Sequence, residues 1–180
     1  MREVSLSHVD PDSFLAQRDD LATIHQEAFG ETHDRARHYQ DVDLPEMACC
    51  RGFHAVVAHE DDRLVGFVVG YDATAIPRWY RNVSRAVQGT SVATWFPEAW
   101  YLADIAVHPD WQRSGIGTRL HDAIMPLVAD RACMLITFHG DHPAKRLYAR
   151  LGWHETMPDL AYYPGGPLTS LLEYGDTMRR

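Results

Sequence analysis

Residues 104–118 combine side chains and glycines that could bind an anion at the start of a helix. An apolar run ends at Val107, a turn follows, and Gly115 and Gly117 stand where helical periodicity begins. The first amides of a helix have no intrahelical acceptor and carry the positive end of the helix dipole, so they bind phosphate well. Glycine lets oxygens approach the backbone, and Arg113 adds a cation. Two glycines alone would also fit a plain strand-to-helix turn, because neither a P-loop nor a dinucleotide fingerprint is present.

A longer pattern around these glycines resembles a known cofactor motif. Gln112, two residues, Gly115, one residue and Gly117 follow an apolar strand, as in the acetyl-coenzyme A motif of the GCN5-related N-acetyltransferases (GNAT family). Residues 144–153 resemble that family's later helix, with alanine, three residues, tyrosine, then glycine and an aromatic residue. The close resemblance covers about residues 100–154, and the order of elements agrees over nearly the whole chain.

This resemblance implies acetyl transfer from acetyl-coenzyme A to an amine, and it assigns residues to the cofactor. The pyrophosphate would be held by backbone amides of residues 112–118, and the pantetheine chain would pair with the strand at 105–107. The residues so implied are Ile105, Ala106, Val107, Gln112, Arg113, Ser114, Gly115, Ile116, Gly117, Thr118 and Ala144. Thr118 would equally fit as a residue of the first helical turn.

Tyr148 and Asp104 are the candidate catalytic residues. Tyr148 matches the family tyrosine that protonates the departing thiolate, and a phenol with a pKa of about 10 is protonated at neutral pH. The alternative is a core tyrosine, since Leu147 and Leu151 share its helical face. Asp104 stands in an apolar run, where burial of a carboxylate costs free energy unless the group is paired with a partner or has a catalytic role. It is therefore the candidate base that deprotonates the amine. A structural ion pair with an arginine is the alternative, and Glu98 is the second candidate base.

Residues 72–99 form an aromatic-rich insert for which only Arg78–Val87 has helical character. Loops of this length are usually functional when they are ordered. Its candidate acceptor-binding residues are Trp79, Tyr80, Trp95, Phe96 and Glu98. An apolar wall with a carboxylate beside it favours the primary amine of a small molecule as acceptor. The alternatives are aromatics that pack the insert onto the domain or form a homodimer interface, with a protein N-terminus or lysine as acceptor.

The remaining histidine, cysteine and capping residues of interest are predicted to have structural rather than catalytic roles. His139 and His142 could chelate a metal, but the chemistry requires none, so we expect no metal site. Cys133 begins an apolar strand without an activating base, and we therefore expect direct transfer rather than an acetyl-enzyme. Asp141 replaces an asparagine that is frequent in the family, and it should still cap the following helix. Pro126 should kink or shorten the helix that contains it.

The elements around these residues predict an α/β fold in one domain, residues 1–180. We expect a GNAT-like, mixed but mostly antiparallel sheet with helices on both of its faces. The helix over 115–128 should bury Leu120, Ile124, Leu127 and Val128. Residues 31–52 are polar and rich in histidine, and their sequence predicts no element apart from a short helix at 44–50. The predicted strands are Val4–Leu6, 53–59, 64–71, 100–107, 134–138, one from Trp153 and 168–174, and the other helices span 12–30 and 143–151.

Charge and composition narrow the function classes. The 180 residues carry a formal net charge of −8, which disfavours nucleic acid and anionic lipid as partners. No apolar segment is long enough to span a membrane and no secretory signal is evident. Three cysteines without paired spacing fit a reducing, cytoplasmic location. The sequence thus favours a cytoplasmic acetyl-coenzyme A-dependent N-acetyltransferase, an acyltransferase, with a non-catalytic acyl-coenzyme A-binding module as the alternative.

Overall fold

The computed structural model describes residues 3–175. The strands are β1 (Val4–Val9), β2 (His54–Glu60), β3 (Arg63–Asp72), β4 (Trp100–Val107), β5 (Cys133–Phe138), β6 (Trp153–Leu160) and β7 (Thr169–Tyr174). The α-helices are α1 (Pro11–Leu15), α2 (Arg18–Phe29), α3 (His33–His38), α4 (Leu44–Ala48), α5 (Pro77–Ala86), α6 (Val92–Trp95), α7 (Ile116–Ile124) and α8 (Pro143–Arg150). A π-helix spans Tyr39–Asp43, and 3₁₀ turns follow α6 and α7. No helix within residues 3–175 has both the length and the apolar character needed to cross a bilayer.

The strands form one seven-stranded sheet in the order β1-β2-β3-β4-β5-β7-β6. Antiparallel pairs join β1 to β2, β2 to β3, β5 to β7 and β6 to β7, whereas β4 and β5 run parallel. The parallel pair begins where Trp100 faces Cys133. The mixed, mostly antiparallel α/β sheet is the predicted fold class. The β2–β3 hairpin is also as predicted, and Asp61 takes a positive φ of 51° in its turn.

Two compact units can be distinguished along the chain. The first takes in the described residues up to Tyr71 together with Ala103–Ala129. The second takes in Asp72–Leu102 and the described residues from Asp130 onward. In the first unit the core lies between β1–β3 and helices α1, α2, α4 and α7, with Phe14, Leu21, Phe67 and Leu120 fully buried. In the second, Trp100, Met134, Trp153 and Leu171 are buried along β4 to β7.

Several helical boundaries differ from the sequence prediction. The single helix expected over 12–30 is two helices, because α1 ends at Leu15 and α2 begins at Arg18 before Gly30 terminates it with a φ of 66°. The short helix expected at 44–50 ends at Ala48. It continues a helical segment that starts at His33, which the polar sequence did not indicate. The prediction that only residues 78–87 of the insert are helical was wrong, because α6 and a 3₁₀ turn follow α5.

Pro126 shortens its helix as predicted. The α-helix α7 ends at Ile124, and Met125–Val128 continue as a 3₁₀ turn, because proline has no N–H to donate to the preceding turn. The change of helical pitch alters which residues face the core. Leu127 is exposed, contrary to prediction, while Val128 remains buried.

The cap of α8 also differs from prediction. His142, not Asp141, is the N-cap residue, and its Nδ1 accepts from the Ala144 N–H at 3.2 Å. Asp141 lies one residue earlier and accepts instead from Arg146 Nη1 at 2.6 Å on the surface. A histidine can take the cap position because its neutral ring nitrogen is an acceptor at about the reach of an asparagine oxygen.

Candidate functional site

The first unit contains a helix start with the geometry of an anion site. Gly115 is the N-cap of α7 with a φ of 86°, a conformation that L-residues other than glycine rarely adopt. The first intrahelical bond near it runs from the Arg119 N–H to the Gly115 carbonyl at 3.1 Å, so the amides of Gly115–Thr118 have no intrahelical acceptor. Arg113 also has a positive φ, 59°, and its side chain is exposed. The loop therefore presents amides and one guanidinium to solvent.

Side-chain hydrogen bonds stabilise this loop from within. Gln112 Nε2 donates to the Val107 carbonyl at 3.0 Å, which links the loop to the last residue of β4. The Ser114 hydroxyl donates to the Trp111 carbonyl. The backbone N–H of His108 donates to Val65 of β3 at 2.9 Å. These bonds connect the loop to the end of β4 and to β3.

Trp111 anchors the turn that precedes the loop. Its ring is buried, and its indole N–H donates to Glu60 Oε2 at 3.2 Å. The Arg63 guanidinium lies 4.4 Å from the centroid of the indole, and the His108 ring meets the indole edge-on at 4.7 Å. These contacts connect the turn to the β2–β3 hairpin.

An open depression of about 800 Å³ lies beside this turn. Its lining residues are Glu3, Glu60, Asp61, Arg63, Asp110 and Trp111. Four carboxylates against one guanidinium repel a phosphate group. The start of α7 is therefore the better place for a polyanion.

Gly66 of β3 packs closely against β4, the strand that leads into the loop. A Cβ added at Gly66 of β3 would lie 3.0 Å from the Ala106 carbonyl oxygen and 3.3 Å from Leu120 Cδ1. Any side chain at this position would therefore require its neighbours to shift by a few tenths of an ångström. Ile105, Ala106 and Val107, the strand residues expected to pair with the pantetheine chain, are thereby held directly before the loop.

Asp104 is a half-buried carboxylate in the middle of β4. The Tyr39 hydroxyl donates to its Oδ2 at 2.9 Å, and His25 Nε2 lies 3.7 Å from its Oδ1. An ion pair with an arginine was the alternative offered by the sequence, whereas the groups in contact with the carboxylate within the described residues are a phenol and an imidazole. Its Oδ2 is thus held by a neutral donor, the Tyr39 hydroxyl.

The π-helix presents Tyr39 to Asp104. Tyr39 is buried, and its ring stacks on His25 with centroids 3.7 Å apart and planes 15° apart. Burial, and then the negative charge of Asp104, raise the pKa of Tyr39 well above its ordinary value. Tyr39 therefore remains a hydrogen-bond donor throughout the neutral range.

The second unit carries Tyr148 and Ala144 on α8. Tyr148 is largely buried, and its ring meets Trp153 of β6 edge-on with centroids 6.1 Å apart. Ala144 is half-buried in the first turn of the helix, where its N–H is capped by His142. The apolar side of α8 that the sequence predicted thus includes Tyr148.

The insert of the second unit is closed at its base by Arg131. Its guanidinium donates to Asp72 Oδ1 at 2.6 Å and to the Glu98 carbonyl at 3.2 Å, so it contacts both ends of the insert. The Ala73 N–H also donates to the Ala99 carbonyl at 2.9 Å. The insert is therefore an ordered element rather than an open loop.

The aromatic residues of the insert divide into buried and half-exposed groups. Trp79 and Phe96 are buried, and Trp79 packs on Tyr101 with centroids 4.4 Å apart. Tyr80 is half-exposed and stacks on Phe96 at 5.2 Å, and Trp95 is also half-exposed. Trp79 and Phe96 are thus packing residues of the insert, which was one of the two alternatives that the sequence left open. Glu98 has an exposed side chain.

Comparison with known proteins identifies the family. The model of the Acetyltransferase (GNAT) family matches residues 18–153. The chain belongs to the GNAT acetyltransferases. A search of curated proteins gives no match. As a GNAT acetyltransferase, a transferase of the acyltransferase class, the protein uses acetyl-coenzyme A as the acetyl donor, in agreement with the predicted activity class.

Solved structures share the GNAT fold over nearly the whole chain. Arabidopsis thaliana NAA60 in complex with acetyl-CoA is similar with a TM-score of 0.68 and 15% identity, covering 96% of this chain and 99% of that one. PaiA N-acetyltransferase from Thermoplasma acidophilum, in complex with coenzyme A, gives 0.62 and 12%, covering 96% and 99%. Aminoglycoside 6'-acetyltransferase type Ii gives 0.63 and 20%, covering 95% and 96%. At these identities the likeness concerns the fold.

Neither a metal nor a reactive thiol is indicated in the described part of this GNAT chain. Within residues 3–175, no group of three or more His, Cys, Asp or Glu side chains could hold a metal ion. Burial raises the pKa of Cys133 to about 12, so its thiol is protonated at neutral pH. A thiol in that state is a poor nucleophile.

The sequence missed three side chains around Asp104. His25, Glu31 and Tyr39 come from α2, the following loop and the π-helix, and Glu31 Oε2 lies 3.1 Å from His25 Nδ1. The only sequence signal was the unusual density of histidine and acidic residues near residues 31–52, which carried no recognisable spacing.

Proposed function

We propose that this GNAT acetyltransferase transfers the acetyl group directly to the primary amine of a small molecule. The observation that carries the proposal is Asp104, a half-buried carboxylate in β4, the strand that leads into the amide-lined loop at Gly115. A carboxylate held beside a cofactor strand by a neutral donor is suited to accept a proton from an ammonium group.

The loop of residues 112–118 supplies the groups that would hold the cofactor. The pyrophosphate would accept from the amides of Gly115–Thr118 and meet the guanidinium of Arg113. Apart from its chain neighbours and the backbone of its own helix, no heavy atom lies within 4 Å of the position of a Gly115 Cβ, so no other part of the described residues crowds the loop at this glycine. Ile105–Val107 would pair with the pantetheine chain, and the resemblance of residues 144–153 to the later helix of the family assigns Ala144 to the cofactor as well.

The chemistry then needs two proton transfers. Asp104 takes a proton from the ammonium group of the acceptor, and the free amine attacks the thioester carbonyl. Tyr148 gives its phenolic proton to the departing thiolate sulfur. The protonated, buried Cys133 supports a direct transfer without an acyl-enzyme.

The half-exposed aromatic residues support a small, flat or bulky acceptor. Tyr80 and Trp95 of the insert offer apolar surface, and Glu98 offers a carboxylate to an ammonium group. The net charge of −8 favours the approach of a cation.

Thiol release from acetyl-coenzyme A tests the activity. We expect release with small primary amines, and less with peptides that carry a free N-terminus or lysine. Tyr148→Phe should lower turnover by about 10²-fold with cofactor affinity little changed, which is the contribution of a general acid. A Tyr148→Phe enzyme with full turnover would make Tyr148 a core residue only.

A second measurement tests the base. Asp104→Asn should remove the acid limb of the pH–rate profile, because an amide accepts no proton from the amine. An unshifted limb would assign the base to Glu98 or to water.

The acceptor surface is tested with two substitutions in the insert. Tyr80→Ala and Trp95→Ala should raise KM for the amine and leave KM for acetyl-coenzyme A unchanged. Val92→Ala, a buried change in the same segment, controls for loss of packing. A change in oligomeric mass with normal kinetics would make the insert an interface between copies.

A further inference from the structure

His25 lies buried next to Asp104 with no role in the chemistry described so far. Its side chain is 6% exposed, and Nε2 lies 3.7 Å from Asp104 Oδ1. This distance is longer than a hydrogen bond, as is common for catalytic contacts before substrates bind. The ring is fixed by stacking on Tyr39 and by the Phe29 ring at 4.6 Å. A small movement of the Asp104 carboxylate, and none of the imidazole, would bring the two groups into contact.

Glu31 faces the opposite nitrogen of the same ring. Its Oε2 lies 3.1 Å from His25 Nδ1. Both of these atoms are buried, and neither makes a well-aligned hydrogen bond within the described residues. Arg35 Nε lies 3.8 Å from the other oxygen of Glu31 and places a positive charge there. Thus a carboxylate stands on each side of one imidazole.

Of the three side chains, the central His25 is the most buried, and the two carboxylates on either side of it are more exposed. Asp104 is 17% exposed, His25 6% and Glu31 23%. The line of polar atoms therefore passes from the candidate base through a buried ring to the buried Oε2 of Glu31, and the rest of the Glu31 side chain is partly exposed. The charged and titratable groups that face His25 are Asp104 from β4, Glu31 from the loop after α2 and Tyr39 from the π-helix. Arg35 of α3 acts electrostatically on both Glu31 and Asp104, and Tyr71 of β3 interacts electrostatically with Asp104.

We propose that Asp104, His25 and Glu31 form a proton relay that carries the proton of the acceptor ammonium group away from the acetyl-transfer site to solvent. The inference rests on the proposed function, in which Asp104 is the base. His25 and Glu31 act through Asp104 and are positioning residues.

The relay conserves protons at each step. An ammonium N–H bond breaks and an O–H bond forms on Asp104, which becomes neutral. That proton moves from Oδ1 to His25 Nε2, so the carboxylate is restored and the ring becomes an imidazolium opposite Glu31. The proton on Nδ1 then passes to Glu31 Oε2, and the carboxyl group of Glu31, which is 23% exposed, releases it to water. Both carboxylates are then restored, and His25 is neutral with its proton on Nε2. A tautomer exchange that returns this proton to Nδ1 completes the cycle.

Tyr39 orients the first carboxylate of the relay. Its hydroxyl, which remains protonated, donates to Asp104 Oδ2, so Oδ1 is the oxygen that faces the ring of His25.

Thiol-release kinetics with matched variants test the relay. His25→Gln and Glu31→Gln remove the titrating groups, and His33→Gln is the control, because His33 is exposed and contacts only Gln26 among the hydrogen bonds of the described residues. Each enzyme is assayed between pH 6 and pH 10 with an accepted alkylamine and with its fluorinated analogue, which is uncharged at neutral pH. Melting temperatures verify that each variant is folded.

The relay predicts a loss that depends on the basicity of the amine. His25→Gln should lower kcat for the alkylamine at pH 7 by about 10²-fold, leave KM for acetyl-coenzyme A unchanged, and recover activity at high pH or with the fluorinated amine. Glu31→Gln should show a smaller loss with the same dependence, and it decides the matter if His25→Gln does not fold. His33→Gln should match the wild type.

Three results would overturn the relay. An equal loss with both amines would make His25 a packing residue, and full activity of both glutamine variants would show that Asp104 works alone. A wild type that releases no thiol with any amine would instead refute the proposed function, and the relay with it.

Discussion

Substitution of Gly115 measures how much the backbone conformation of the loop contributes to cofactor binding, because a new side chain at this position makes almost no steric contact. Its φ is 86°, and apart from its chain neighbours and the backbone of its own helix no heavy atom lies within 4 Å of the position that a Cβ would occupy. Alanine at this position meets no neighbour, so its cost is the backbone strain of an L-residue with positive φ, about 1–2 kcal/mol. Asparagine tolerates this region and serves as the matched control. Gly115→Ala should therefore be worse than Gly115→Asn, although its side chain is smaller.

The strain can appear in either of two measurements. If the loop keeps its conformation, the melting temperature falls by about 2–4 °C for each kcal/mol in a chain of this size. If the loop relaxes, the Kd for coenzyme A rises by about tenfold for each 1.4 kcal/mol. Calorimetric titration with coenzyme A and thermal unfolding of the same samples give both quantities. Unchanged Kd and melting temperature in the alanine variant, or equal behaviour of alanine and asparagine, would refute this reasoning.

Three further predictions concern the surroundings of the site. Gly66→Ala should lower the melting temperature by several degrees, since its Cβ would press on a strand carbonyl 3.0 Å away; an unchanged value would show that β3 moves freely. Burial raises the pKa of Tyr39, so its phenol stabilises the fold below pH 10 and this stability is lost as the pH rises through the raised pKa. Tyr39→Phe should therefore flatten the fall in melting temperature above pH 10. Cys133 should resist iodoacetamide at pH 8 in mass spectrometry while the exposed Cys49 is alkylated, and equal labelling would contradict its burial.

Local sequence patterns were sufficient to predict most of the sheet and the anion-binding loop. The apolar run of β4 has the predicted bounds, Trp100–Val107, because the polar turns on either side end it. The hairpin formed at Asp61 because a short polar connection between two β-branched runs leaves few other pairings. Gly115 was predictable as a helix start since a glycine after a turn supplies a positive φ that few residues adopt.

The surroundings of Asp104 were not predictable in the same way. Tyr39 lies 65 residues away along the chain, and its contact depends on how the helical segment packs rather than on any local pattern. An ion pair with an arginine was the alternative to the role of Asp104 as a base, because a carboxylate in an apolar run is costly to bury without a partner. A phenol and an imidazole contact Asp104 instead, and residue types alone do not distinguish these solutions. His142 capped α8 for a related reason, since a ring nitrogen can replace a carboxylate oxygen.

The π-helix at Tyr39–Asp43 gives the site an unusual evolutionary property. It lies between α3 and α4, and a π-turn holds one residue more than the α-turn that would otherwise join them. Each residue of a helix advances the chain by about 100°, so losing one residue of this segment would rotate Tyr39 by about that angle relative to α4, and Tyr39 and α4 could then not both keep their present contacts. Insertion or deletion of a single codon is therefore enough to create or abolish the hydrogen bond from Tyr39 to Asp104. Two proteins with identical residues on either side of the π-helix can differ in this contact.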